Sequence, residues 1–464
     1  MSCLSERFMT AIPACVAAPR VLLIEPTSRC NLACGMCPRQ TPGCVMTDGD
    51  LAFETLAALE TVLPGVERVS LAGLGEPLLH PQIVEIVAWL RARLPATARI
   101  GLQTNGLLVT QALADRLAAA GLDQLCLSVD ALETAPNQPL HGGSFLPAIE
   151  SAFACFREAR TRAGRPLELG VECVLMRSNR RALPGLLDWA AGQGANFVLV
   201  SHLLPPAPQW AGESLSNPNA AAAVALFRQA EAETRRQGLN IQDILKLQLR
   251  FRLTMTGEER RLQVVEAALR EEACQQGVPI NLKSLVAWAA DEAMQELPDL
   301  FAVARQQAAR HGLRLHLPSL AAADVRECPF LARNIACLDA HGNVAPCHFL
   351  WHTHVTAEQG RPKRIAATFL GRLGAADAPA MDALWNASSS RAFRAEAQAS
   401  ASPRCYDCAA SPCSELIQAA YGDACDCLGG GVPCGHCPWP LGLVSCLGTE
   451  GPPTVAASDA QVAA

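Results

Sequence analysis

Several things are missing from this sequence, and each absence removes a class of function. There is no long run of like charge, and the formal net charge is −6. A nucleic-acid binder would want a basic face, so nucleic acid is not expected as a partner. No apolar run is long enough to span a bilayer, so no membrane is expected either. Met1 to Arg20 lacks the charged-then-apolar order of a secretory signal, which points to the cytoplasm. The first half has no histidine cluster. His348, His352 and His354 do group near Cys347, and they read as solvated loop histidines rather than a metal site. At 464 residues, half of them hydrophobic, the chain should fold as two or three domains.

What the chain has in excess is cysteine: 21 residues, 11 of them between Cys328 and Cys446. In a long chain without a secretory signal, such clusters read as metal ligands rather than disulfides. The tightest group is Cys30-Asn31-Leu32-Ala33-Cys34-Gly35-Met36-Cys37, which follows the apolar run Val21 to Ile24. Iron–sulfur clusters are held by cysteine thiolates, usually four. Three on one loop, with Cys44 set apart in a Pro/Gly turn, suggest a cluster with one iron left open. An open position is what separates catalytic from structural metal sites.

From Val21 to about Leu204, strand-like and helix-like stretches alternate. Strands are expected at Val21–Glu25, Val66–Leu71, Arg99–Gln103, Gln124–Val129, Glu168–Leu175 and Asn196–Ser201. Helices are expected near 51–63, 81–94, 110–120, 145–163 and 180–192, the apolar stripe Ile83, Ile86, Val87, Leu90 being typical. Six such βα units give an α/β fold with a parallel sheet, a partial open barrel. Functional groups gather at the C-terminal ends of its strands. Three further loops fall there: Gly73-Leu74-Gly75-Glu76-Pro77, Thr104-Asn105-Gly106, and Ser128-Val129-Asp130. Each alone reads as a turn. On one rim with the thiols, the turn-only account fails.

This combination resembles the radical S-adenosylmethionine (SAM) superfamily over residues 20–204. The resemblance implies that Cys30, Cys34 and Cys37 hold a [4Fe–4S] cluster whose fourth iron is chelated by SAM. It places Gly73, Gly75, Glu76 and Pro77 on the family's Gly-Gly-Glu-Pro element, with Leu74 displacing one glycine. Glu76 would then accept a charge-assisted bond from the SAM ammonium. Asn105, Ser128 and Asp130 join the cofactor-binding set, the last two at positions that often contact the ribose. Met36 stands where relatives often carry an aromatic beside the adenine, and a thioether can fill that apolar gap.

After strand six, Pro205-Pro206-Ala207-Pro208 reads as a rigid linker, and 219–297 is strongly helical. Residues 205–297 are expected as an insertion on the catalytic rim, either a lid or docking surface for a macromolecular substrate or a simple buttress. Pro298–His311 would be the sixth barrel helix and Leu313–Leu317 a strand. This gives an N-terminal extension at 1–20, a barrel domain at 21–320, a Cys-rich domain at 321–450 and a disordered tail at 451–464.

The Cys-rich end contains Cys328, Gly342-x₄-Cys347, Cys405-x₂-Cys408-x₄-Cys413, Cys427, Cys434-x₂-Cys437 and Cys446. The order resembles the SPASM extension of radical SAM enzymes, which implies one or two auxiliary [4Fe–4S] clusters on these cysteines. After Cys413 the spacing departs from that extension, and the Cys434–Cys437 block is closer to its metalloenzyme and tungsten-cofactor maturases. Structural zinc is the competing account of the two C-x₂-C pairs; the three-cysteine loop favours iron–sulfur. Cys3, Cys15, Cys126, Cys155, Cys173 and Cys274 read as ordinary thiols. The implied activity is radical modification of a peptide or protein during metalloenzyme maturation, with electrons from a flavodoxin- or ferredoxin-type donor. The alternatives are a peptide-tailoring enzyme that forms a thioether or cross-link, and a non-catalytic iron–sulfur carrier or scaffold.

Overall fold

The computed structural model describes residues 18–132, 145–248, 254–357, 362–375, 377–399, 405, 408 and 434–449. Seven strands pair parallel in chain order: β1 (Val21–Ile24), β2 (Arg68–Leu71), β3 (Arg99–Thr104), β4 (Gln124–Ser128), β5 (Glu168–Leu175), β6 (Phe197–His202) and β7 (Arg314–His316). Helices α1 (Ile83–Arg91), α2 (Gln111–Ala120), α3 (Leu146–Ala163) and α4 (Leu183–Gly192) return between them. This is the α/β partial barrel that the alternation predicts. Side chains alternate along each strand: Leu22, Ile24, Val69, Leu71, Ile100 and Leu102 share one core with the helices. Residues of the opposite parity face inward. The helix expected over 51–63 forms 3₁₀ turns instead, Phe53–Leu59 and Leu63–Gly65. Pro64 has no N–H with which to extend a longer helix.

The insertion comprises α5 (Ala221–Arg236), α6 (Ile244–Gln248), α7 (Gly257–Gln276) and α8 (Leu282–Ala289), followed by α9 (Glu292–His311). A capping box between Thr256 and Glu259 starts α7. These helices bury a core of their own around Phe227, Leu285 and Trp288. The expected boundary at Pro298 is corrected. The break falls at Asp291, whose carboxylate caps the N–H groups of Ala293 and Met294, and Pro298 lies inside α9. Proline there forfeits one helical hydrogen bond, against which Leu297, Phe301, Ala304 and Ala308 pack into the barrel core.

The sheet does not stop at the barrel. β8 (Ile335–Leu338) pairs parallel with the free edge of β1, and β9 (Asn343–Ala345) pairs antiparallel with β8. β10 (His354–Thr356) and β11 (Lys363–Ile365) form a separate hairpin, and β12 (Gly371–Arg372) completes a ten-stranded sheet beside β9. The Cys-rich end therefore shares the barrel's sheet. It also fills the sheet's inner face: Val21 and Leu23 pack with Phe330, Ile335, Cys337 and Trp351. Leu447 packs on Cys126 and Phe197, while Ser445 donates its N–H to Ser201 Oγ (3.3 Å). At Gly448 an added Cβ would lie 2.6 Å from Ser70 Oγ. Residues 443–449 thus cross the interior of the curl. Among the described residues no helix is long and apolar enough to cross a membrane.

Candidate functional site

The loop after β1 carries Cys30, Cys34 and Cys37, all half-buried. It is pinned on both sides. Arg29 grips Asp50 through Nη2 (2.7 Å) and reaches Leu79 O (3.2 Å), while Arg39 pairs with Asp48 (2.6 Å). Glu76 N–H donates to Arg29 O (2.7 Å), joining this loop to Gly73–Pro77. The two loops touch so closely that a Cβ on Gly75 would sit 1.9 Å from Thr27 O. Glycine is required there by close approach.

Glu76 is 3% exposed. Its Oε1 accepts from Thr104 Oγ1 (2.6 Å) and Leu78 N–H (3.0 Å), and its Oε2 accepts from Asn105 N–H (2.8 Å). A carboxylate offers about four acceptor sites, so one remains, on Oε2. Burial raises the pKa of Glu76, with these hydrogen bonds opposing it. Asn105 Nδ2 in turn donates to Asn31 Oδ1 (2.8 Å), so the loops after β1, β2 and β3 form one bonded rim. Asp130, beyond β4, accepts from Val174 N–H (2.7 Å). Burial lifts it to about 8.

Burial is also the largest cause lifting Cys34 to about 12, followed by the charges of Cys37, Asp130 and Cys30. These four groups therefore share one field. Cys37 is pushed up to about 11, mainly by burial. Bare, the loop keeps its thiols protonated; a metal that binds them must displace protons and supply the missing positive charge. The donor set, three sulfurs in an apolar setting, suits iron–sulfur chemistry. Cys44 comes nearer than its Pro/Gly turn suggests, and its charge is felt at Cys37. Met36 packs with Ala131, Val174 and Trp210 around buried Met176 and Leu203, an apolar wall on the same rim.

At the other end, Cys328, Cys347, Cys434 and Cys437 line a single cavity with Phe330 and Phe349. Burial drives all four thiols upward, Cys434 to about 12. Among the described residues, no three His, Cys, Asp or Glu side chains converge on one point closely enough to hold a single metal ion. Cys446 is not in the lining; it sits beside Thr449 Oγ1 (3.3 Å) and near the buried Cys337. Cys405 donates its N–H to Gly435 O (3.2 Å), and Cys408 O accepts from Asn281 of the insertion (3.0 Å). Cys413 and Cys427 lie outside the described residues.

The three histidines are not solvated, which corrects the sequence reading. His354 is 7% exposed. His352 Nε2 pairs with Glu25 Oε2 at 3.1 Å, the carboxylate being fully buried. Glu25 also accepts from Leu74 N–H (2.8 Å), linking the rim to the Cys-rich end. Motif reasoning passed over Glu25, Gln103 and Glu172, all on the inner face. Their signal was a polar residue in or at the end of an otherwise apolar strand.

Residues 24–170 match the family model described as "Radical SAM superfamily". Residues 24–170 carry a radical SAM domain, and the protein is an enzyme. Over 432 residues it is 24% identical to the tungsten-containing aldehyde ferredoxin oxidoreductase cofactor-modifying protein of Pyrococcus furiosus, covering 92% of this chain and 97% of that protein. It is 35% identical over 205 residues to the PqqA peptide cyclase of a Methylobacterium species, covering 42% of this chain and 49% of the relative. The chain therefore spans about half the length of that second relative. Among solved structures it is similar to one described as native anSMEcpe with bound AdoMet, at a TM-score of 0.43 and 17% identity, covering 80% of this chain and 82% of that one. A radical SAM domain implies SAM and a [4Fe–4S] cluster as cofactors.

Proposed function

We propose that this protein cleaves SAM reductively and uses the resulting radical to modify a peptide or protein during maturation of a metalloenzyme in the cytoplasm. The observation that carries the reading is the bonded rim, on which three thiols, Glu76, Asn105 and Asp130 stand together. When bound to Cys30, Cys34 and Cys37, the cluster supplies the electron that splits the C5′–S bond of SAM into methionine and a 5′-deoxyadenosyl radical. Glu76 keeps one acceptor site on Oε2 for the SAM ammonium. Gly75 lets the loop lie against residues 27–29 and Gly73 lets it lie against Glu25, while Pro77 opens the 3₁₀ turn Pro77–Leu79 that follows. Met36 and Trp210 wall the adenine, and Ser128 and Asp130 face the ribose. Residues 443–449 close the inner face and exclude water from the radical.

Cys328, Cys347, Cys434 and Cys437 hold an auxiliary [4Fe–4S] cluster in this reading. The four sulfurs line one cavity with Phe330 and Phe349, and the three-thiol rim loop favours iron–sulfur over the competing zinc. Cys405, Cys408, Cys413, Cys427 and Cys446 are left for a second cluster. The insertion serves as the docking surface for the macromolecular substrate, and a flavodoxin- or ferredoxin-type donor supplies electrons. The near full-length similarity to a cofactor-modifying protein supports the maturase reading. The similarity to a peptide cyclase supports a peptide substrate.

The test is anaerobic reconstitution with iron and sulfide, followed by dithionite and SAM. Release of 5′-deoxyadenosine is expected from the wild type; its absence, with the iron in place, would overturn the reading.

A further inference from the structure

The proposed chemistry leaves two inward-facing carboxylates without a part: Glu25, which is paired with His352, and Glu172. Glu172 on β5 stands in register beside Ser128 on β4. Its carboxylate accepts a hydrogen bond from the Ser128 hydroxyl and another from Gln103 Nε2 on β3. Gln103, Ser128 and Glu172 are all partly exposed. Their neighbours of opposite parity, Leu102, Leu127 and Val171, are 0% exposed and belong to the core beneath the helices. The three polar side chains therefore line the interior of the curl across three adjacent strands.

A serine hydroxyl has one proton. Donated to Glu172, that proton leaves Ser128 only lone pairs to offer the interior, so whatever meets Ser128 there must be a donor. An alcohol O–H satisfies this and a carbonyl does not. Gln103 holds the carboxylate in place on its other flank, so with Glu172 ionised the direction of the Ser128 proton is set before any ligand arrives. That is preorganisation of the kind that raises affinity without a new contact. Burial raises Glu172 to about 7, the two hydrogen bonds acting against it.

We propose that Glu172 is a positioning residue for SAM: by taking the Ser128 proton it makes Ser128 an acceptor for a ribose hydroxyl, with Gln103 steadying the carboxylate. This rests on the reading of Ser128 as part of the SAM site. Glu172 does not touch the ligand. Its effect passes through Ser128, and that coupling is what an experiment can isolate.

The test uses the reconstituted full-length chain, with SAM affinity measured by equilibrium dialysis and the reduced cluster followed by electron paramagnetic resonance. Glu172→Leu, which has no acceptor, should weaken SAM binding about tenfold, about 1.4 kcal/mol, and Ser128→Ala by a similar factor. The double variant should bind no worse than either single one, because both remove the same interaction. At saturating SAM the spectral change of the cluster should persist in Glu172→Leu, since the amino-acid end of SAM is untouched. Glu172→Gln keeps an acceptor oxygen and should recover part of the affinity. Wild-type affinity in Glu172→Leu, or losses that add in the double variant, would overturn the proposal. If Glu172→Leu fails to hold iron, Gln103→Leu replaces it in the same cycle with Ser128→Ala, and additive losses again overturn it. A wild-type protein that loads iron yet does not bind SAM would sink the parent reading instead, so the two failures are distinguishable.

Discussion

The two thiol groups of this protein place the same side chain in opposite settings. The rim group has three cysteines on one loop, half-buried and held by arginine–carboxylate pairs beside an apolar wall. The inner group draws four cysteines from separated stretches of chain into a cavity backed by phenylalanines. In the proposed reading, three ligands on a pinned rim leave a position for a reactant, and four around one cavity leave none. The first arrangement is suited to chemistry and the second to electron transfer or to holding the fold.

That contrast can be broken experimentally. The largest effect is expected for Cys34→Ala, which should lower 5′-deoxyadenosine formation by about 10³-fold or more while the C-terminal iron remains. Product assay with iron analysis checks both halves. Next, Gly75→Ala forces a Cβ against the backbone of Thr27 and should weaken SAM binding by about 10²-fold, read by equilibrium dialysis. Cys437→Ser, at the inner site, should remove iron and lower the melting temperature while leaving SAM cleavage within about threefold; equal loss of cleavage would erase the distinction between the sites. Asp130→Asn tests the rim's electrostatics in the metal-free protein. The folded-state pKa of Asp130 is raised from 3.8 to about 8 by burial, so the native state holds its proton where the unfolded state has lost it. Stability from this group is complete below pH 3.8 and is lost as pH rises towards 8. The asparagine variant should therefore melt about 2 °C or more above the wild type at pH 8 and match it at pH 4. The smallest effect is expected for Cys44→Ala, which should leave cleavage within about threefold. A loss as deep as that of Cys34→Ala would mean that the rim iron is capped.

Most of the barrel was legible because its signals are local. Each of the six strands begins and ends within two residues of its apolar run, and the thiol loop and Gly73–Pro77 follow strand ends where a parallel sheet places them. What was not legible depends on distant partners. Ile335–Leu338 lies beyond the alternating strand and helix pattern that marks the barrel, and it becomes a strand by pairing with β1 across more than three hundred positions. His352 looked solvated because nothing near it in sequence shows that Glu25 will reach it. Cys446 and Cys434 look alike as ligands along the chain, yet only Cys434 lies in the four-thiol cavity. Pro298 suggested a helix start, but the Asp291 cap seven residues earlier begins the helix and the core contacts of Phe301 and Ala304 carry it through.

Leu447 and Gly448, packed against strands laid down hundreds of residues earlier, have a consequence for biosynthesis. At the pace of translation, the inside of the curl stands unsealed until residues 443–449 have left the ribosome. Iron delivered during that interval can approach from a side that the finished molecule keeps shut. The order of loading, and not only the final affinities, is thereby written into the position of the last described turn.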